Sequence, residues 1–352
     1  MQVTRRYDID WLRVIAIWLL LLYHIAIGFQ PWGALIGFIQ NGESMDSLKG
    51  PMAMLNVWRI PILFYISGMG VGFAIRKRNA AGLLLERSRR ILIPFLFGML
   101  CIVPLHILLW QQYYRQDLAF RLQPAHLWFL ANIFVYVLIF LPFFIYLKNR
   151  PQGSLSLKVK KLMGSAWGLL LMIGCFVLEA WLVNPEAFEY YAMNKHGFFL
   201  GLLAFLFGFL IIHSEDSFWN RVLSIRWGLL LGAVLLYAIR WTYFDFVMVP
   251  KYLLAIESNL WIFSLFAFGY TSLNHESRTL QYLSKAAYPI YILHMLFIYL
   301  GSILIFPWDI STTLKFVLVT LFTFAGCYLS YEGIRRAKFL RPLFGLRYER
   351  GD

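Results

Sequence analysis

Residues 8–25 read DIDWLRVIAIWLLLLYHI, Asp8 to Ile25, and the run stays apolar for several residues more. A helix needs ~20 mostly apolar residues to cross a hydrocarbon core of about 30 Å, and this stretch supplies them. It also carries two residues that a plain anchor does not need, Arg13 and His24. A charge at the centre of a span costs about 2.5–3.5 kcal/mol even on the lenient insertion scale, so such residues are functional candidates. The stretch therefore decides two things together: the chain is a membrane protein, and its first helix carries chemistry.

The rest of the chain agrees with the first half of that reading. Of 352 residues, 60% are hydrophobic and only 14% charged, with mean hydropathy +0.65. Soluble domains sit near about 45–50% apolar and about 25% charged. Ten continuous apolar runs fall near 10–29, 52–75, 91–110, 127–147, 165–183, 197–213, 227–243, 250–270, 286–306 and 313–333. The runs do not alternate apolar with polar, which argues against an outer-membrane barrel. The expectation is an all-α integral membrane bundle of about ten transmembrane helices, one domain over 1–352, with 334–352 as a basic tail. The first run is full-length and no small-residue cleavage site follows it, so it reads as a retained span. Cys101, Cys175 and Cys327 each lie in an apolar run with no metal-binding spacing, and read as packing residues.

The net charge of +14 raises the question of nucleic acid. Its distribution answers it. With the N-terminus inside, alternate loops and both termini on that side hold 23 of the 32 lysines and arginines, and the opposite side holds 7. Cytoplasmic loops are the ones that carry such an excess, so both termini are expected in the cytoplasm. The aromatic-rich basic tail suits anionic headgroups better than nucleic acid.

Six ionisable residues stand out inside spans: Arg13, His24, Arg59, Glu179, Glu257 and His294. Arg13 and His24 are eleven residues apart, just over three helical turns, so they share one face and are separated by ~16 Å of rise. A cation at the inner boundary and an imidazole deeper in the span suit an extended ligand with an anionic head and a reactive tip. Acyl-coenzyme A has that form. Asp10, three residues before Arg13, is placed to pair with it.

The same stretch resembles the opening of the membrane acyltransferase 3 family, in which an Arg is followed after ten residues by a His on the first helix. Arg13 and His24 match. FYISG (Phe64 to Gly68), RSRRILIP (Arg87 to Pro94), HLWFL (His126 to Leu130) and AAYPIYILH (Ala286 to His294) resemble later family segments, in the family's order. Within the family the likeness points to the glucans biosynthesis protein C-like branch. The resemblance implies acyl transfer from cytoplasmic acyl-coenzyme A to a hydroxyl of a glycan or lipid-linked saccharide beyond the membrane. Acetyl or succinyl would be the group moved, and no permanently bound cofactor or metal is implied. The hydrolase-like domain that some members carry is missing, so either the bundle completes the transfer or a separate periplasmic transferase takes part.

Expected roles follow residue by residue. His24 is the candidate base, since an imidazole with a pKa near 6.5 suits proton removal from a hydroxyl. Arg59 either stabilises the thioester oxyanion or pairs with Glu179 or Glu257. Arg13, Arg87 and Arg90 are the candidate coenzyme A grips, Arg87 and Arg90 facing one way if their segment is helical. Asp10, Glu179, Glu257, Tyr291 and His294 are expected along the substrate path, Tyr291 and His294 equally readable as a buried hydrogen-bonded pair. The competing reading from another class is a transporter or flippase for a lipid-linked sugar in the inner membrane. An internal inverted repeat would favour it, and none is visible in the sequence.

Overall fold

The structure, a computed structural model, describes residues 5–346; residues 347–352 of the basic tail fall outside the described residues. Ten helices are long and apolar enough to cross a membrane: α1 (Tyr7–Ile27), α2 (Asp46–Ile75), α3 (Ala80–Tyr113), α4 (Ala125–Asn149), α6 (Ala166–Val183), α7 (Lys195–His213), α9 (Arg226–Phe244), α10 (Lys251–Ser272), α11 (Arg278–Ile305) and α12 (Thr312–Arg336). Each overlaps one expected run. Two shorter helices, α5 (Ser154–Met163) and α8 (Asp216–Ser224), occupy loops that the hydropathy left blank. Among the described residues there is no strand. The chain is a multi-pass membrane protein.

Two compact units make up the chain. The first holds residues up to Ala16, Ala53–Glu86 and Asn132–Leu280; the second holds Ile17–Met52, Arg87–Ala131 and the residues from Gln281 onward.

In the first unit, lipid is as apolar as leucine, so close packing and hydrogen bonds must hold the helices together. The α2–α7 pair shows how. A Cβ placed on Gly68 would stand 1.9 Å from the Phe205 carbonyl oxygen, and one on Gly208 would stand 2.0 Å from the Tyr65 carbonyl oxygen. The backbones touch reciprocally, and only glycine permits it. Polar groups beside this contact find partners: Tyr65 donates to Asn259 Oδ1 at 2.9 Å, and Tyr136 donates to the Phe198 carbonyl at 2.6 Å.

In the second unit, the segment after α1 is folded firmly. The Asn41 amide donates to the Gly28 carbonyl at 2.8 Å and the Met45 amide to the Phe29 carbonyl at 2.9 Å. Tyr114 donates to the Phe38 carbonyl and accepts from the Gln40 amide, both at 3.1 Å, while Tyr299 donates to the Gly37 carbonyl. The Phe38 ring then lies 5.6 Å from the His24 ring.

The helix α3 contains two π turns, Ser88–Leu92 and Gly98–Ile102, each shortly before a proline, Pro94 and Pro104. Proline has no N–H for the regular ladder. The amides of Ile93 and Val103, each one residue ahead of its proline, bond five residues back, to Ser88 and Gly98. Each π turn shifts the helical register, which re-aims the side chains that follow it.

Gly68→Ala and Gly208→Ala should each destabilise the protein, by about 1–3 kcal/mol or more, because neither backbone can retreat without opening the pair. Thermal unfolding in detergent checks this, with Gly174→Ala, where the added Cβ meets nothing within 4 Å, expected near wild type.

Candidate active site

Four imidazoles form a contiguous row in the second unit. His24, half-buried near the end of α1, stacks on fully buried His294 of α11, with ring centroids 5.1 Å apart and planes 7° apart. His126 stands edge-on to His294 at 5.0 Å, and His106 follows His126 at 5.4 Å. The row ends on Tyr299, whose ring is 5.2 Å from His106.

The hydrogen bonds assign the protons. His294 Nδ1 lies 2.7 Å from the Tyr291 carbonyl oxygen. A carbonyl only accepts, so His294 Nδ1 carries hydrogen. In neutral imidazole the other nitrogen is then an acceptor. His294 Nε2 lies 2.9 Å from His24 Nδ1, so His24 Nδ1 donates. The lone pair of neutral His24 therefore resides on Nε2. This assignment comes from the partners, since hydrogens are inferred from the network. It gives His24 the form of a general base whose tautomer and ring plane are set by a second residue.

The same reasoning applies to His126. Its Nε2 donates to the Ile292 carbonyl at 3.1 Å, and its own carbonyl accepts from the Tyr291 hydroxyl. One turn of α11 thus holds two histidines: Tyr291 braces His126 through its hydroxyl and His294 through its carbonyl. Gly98 at the second π turn faces Leu127, where a Cβ would stand 2.5 Å from the Leu127 Cδ1 methyl. That turn also sets the register for His106, eight residues later.

The arginines expected to grip phosphate lie in this unit too. Arg87 is half-buried, Arg90 is exposed, and the segment Ser88–Leu92 is a π turn rather than regular α-helix. Both cations act electrostatically on the Tyr288 side chain of α11. Gly345, at φ +70°, closes the C-terminal turn against Tyr288 and the Arg90 carbonyl, where a Cβ would stand 2.9 Å and 3.0 Å away.

Other expected residues belong to the first unit. Arg13 pairs with Asp10 at 2.7 Å as its spacing implies, and Asp10 also accepts from Arg5 at 2.9 Å. Arg13 and His24 ride one unbroken helix. Arg59 is buried where the second part of α2 begins. Glu257, 1% exposed, is clasped by Arg240, 2% exposed, through Nη2 at 3.0 Å and Nε at 2.9 Å. Arg240 also donates to the Ala53 carbonyl at 2.8 Å. Glu179 faces His196 Nδ1 at 2.9 Å, while His196 Nε2 donates to the Phe188 carbonyl at 2.9 Å. Both glutamates are thus held in buried polar pairs. Arg240 is a buried residue inside α9.

Sequence reasoning missed His106, His126, His196 and Arg240 as site or network residues. His106 and Arg240 satisfy the rule that singled out His24, an ionisable group inside an apolar run. His126 sits at the very start of its run, where an aromatic belt is the simpler reading. No cluster of three or more His, Cys, Asp or Glu among the described residues is arranged to hold a metal ion.

Compared with known families, residues 6–332 match the family model described as an acyltransferase domain, that of the acyltransferase 3 family. The chain belongs to that family. No curated protein and no solved structure matches it.

Removing one member of the Arg240–Glu257 pair strands a buried charge. Arg240→Leu should cost about 3–5 kcal/mol, and Arg240→Leu with Glu257→Leu should recover most of it. Thermal unfolding of both variants in detergent decides; a double variant as unstable as the single one would show that the stranded charge is not the cause.

Proposed function

We propose that this membrane acyltransferase moves an acetyl or succinyl group from acyl-coenzyme A, supplied from the cytoplasm, to a hydroxyl of a glycan or lipid-linked saccharide on the other side of the membrane. The observation that carries the reading is the His24–His294 pair. In it a half-buried imidazole, His24, has its tautomer set by the ring of a buried histidine, His294.

In the proposed reaction His24 Nε2 takes the hydroxyl proton as the acceptor oxygen attacks the thioester carbonyl carbon. The C–O bond forms, and the π electrons of the carbonyl move to its oxygen. They return as the C–S bond breaks, and the sulfur departs with its electron pair. His24 then gives its Nε2 proton to that sulfur, so the base is restored and coenzyme A leaves as the thiol. His294 stays neutral throughout. Its Nε2 lone pair holds the Nδ1–H of His24 and supports the positive charge that His24 carries between the two transfers. A proton cannot usefully move further along the row, because the Nδ1–H of His294 ends on a carbonyl oxygen.

Arg87 and Arg90 are assigned to coenzyme A phosphates. Two guanidinium groups suit a polyanionic phosphate head, and the neutral pantetheine arm suits the apolar stretch beyond it. Keeping the charged nucleotide at the boundary spares it the cost of entering hydrocarbon. Both termini and the basic loops lie in the cytoplasm in this reading, in line with the excess of loop cations. The family match and the ten spans support acyl transfer in a membrane; the donor, the acceptor and the sidedness are the proposal.

The test uses the protein in vesicles of known orientation, with labelled acetyl-coenzyme A outside and acceptor glycan inside, or the reverse. Label should reach acceptor on the face opposite the donor. His24→Ala should abolish transfer while leaving thermal stability near wild type. Arg87→Ala with Arg90→Ala should raise the KM for the donor more than it lowers kcat, because phosphate contacts are the same in ground and transition states. Near wild-type turnover by His24→Ala would remove the base assignment, and transfer only between partners on one face would remove the through-membrane direction.

A further inference from the structure

His126 has one nitrogen that the fold does not use. Its Nε2–H is committed to the Ile292 carbonyl, so in the neutral ring Nδ1 holds a bare lone pair. That atom is buried and has no hydrogen-bond partner among the described residues. A buried acceptor left without a donor costs free energy, commonly about 1–3 kcal/mol, and calls for an explanation. The ring has not drifted into this position by slack packing. Its backbone carbonyl is tied to Tyr291, its edge abuts His294, and the residue before it, Ala125, is held at φ +42°. A left-handed conformation at a residue other than glycine is itself unfavourable by about 1–2 kcal/mol, and such strain gathers where geometry serves function. Two unfavourable features thus converge on the presentation of one lone pair, one ring away from the His24–His294 pair.

We propose that His126 is a substrate-binding residue whose Nδ1 accepts a hydrogen bond from an N–H or O–H of bound substrate. The inference rests on the acyl-transfer reading. Two groups offer that chemistry: an amide N–H of the pantetheine arm of the donor, and a hydroxyl of the acceptor sugar next to the one acylated. In either case the contact orients substrate toward His24 without touching the reacting proton.

Two amide variants separate the nitrogens. His126→Asn places an acceptor oxygen near the position of Nδ1 and loses the bond to Ile292. His126→Gln places an amide N–H near the position of Nε2, keeps the bond to Ile292, and loses the acceptor at Nδ1. Full-length protein in lipid nanodiscs is titrated with acetyl-coenzyme A by calorimetry, and acetyl transfer to a linear glucose oligosaccharide gives KM and kcat. His126→Gln should fold like wild type and lose about tenfold in one quantity, with His126→Asn closer to wild type in the same quantity. A loss in acetyl-coenzyme A affinity assigns the contact to the pantetheine amide. A rise in the KM for the oligosaccharide at unchanged donor affinity assigns it to the sugar hydroxyl. His126→Gln matching wild type in both quantities overturns the proposal, as does a loss confined to His126→Asn, which would leave the ring only its bond to Ile292. If wild type binds neither acetyl- nor succinyl-coenzyme A and transfers neither group, the acyl-transfer reading has failed; if wild type binds and transfers one of them and His126→Gln equals it, only the assignment of His126 has failed.

Discussion

The hydrogen bond from His294 Nδ1 to the Tyr291 carbonyl, 2.7 Å long, is the constraint from which the rest of the site follows. A carbonyl oxygen has no proton to give. That single fact places hydrogen on His294 Nδ1, the lone pair on His294 Nε2, the donor on His24 Nδ1 and the basic lone pair on His24 Nε2. In a catalytic triad a carboxylate performs this orienting task with a full negative charge. Here a neutral imidazole performs it inside a transmembrane helix, where an unpaired carboxylate is expensive to bury. A neutral partner retains the orienting geometry at much lower desolvation cost, and in the proposed reaction the positive charge of His24 would be short-lived.

Membrane burial shapes the first unit in a different way. Its buried ionisable groups are paired at close range, Arg240 with Glu257 and Glu179 with His196, and its helices meet backbone to backbone at Gly68 and Gly208. A buried ion pair adds little net stability over a well-packed apolar pair, while losing one partner is costly. In the second unit, each π turn of α3 lets the helix pass a proline; Arg90 lies within the first, and His106 follows the second, which re-aims it.

Much of this was legible in the sequence, for physical reasons that can be named. The length of the apolar runs reports the thickness of the bilayer, so all ten spans could be placed. The cost of an ionisable group inside a span marked His24, His294, Arg59, Glu179 and Glu257. Partner choice was not legible. Asp10 with Arg13 is a local i,i+3 pair and could be foreseen, whereas His24 with His294 joins residues 270 positions apart, and Arg240 with Glu257 depends on which helices pack together. The π turns were hidden as well, because Pro94 and Pro104 announce a disturbed ladder without saying how it is repaired. His126 was hidden by its place at the start of a run, where hydropathy cannot tell a belt residue from a buried one.

The central claim is that the basic lone pair of His24 is on Nε2 and that Nδ1 serves only to hold the ring. Replacement of His24 by N-methylhistidine tests it atom by atom. The Nε2-methyl form removes the base and should abolish acetyl transfer from acetyl-coenzyme A, while the Nδ1-methyl form breaks the bond to His294 but keeps the Nε2 lone pair and should retain measurable turnover. Turnover surviving in the Nε2-methyl protein and vanishing in the Nδ1-methyl protein would contradict the account.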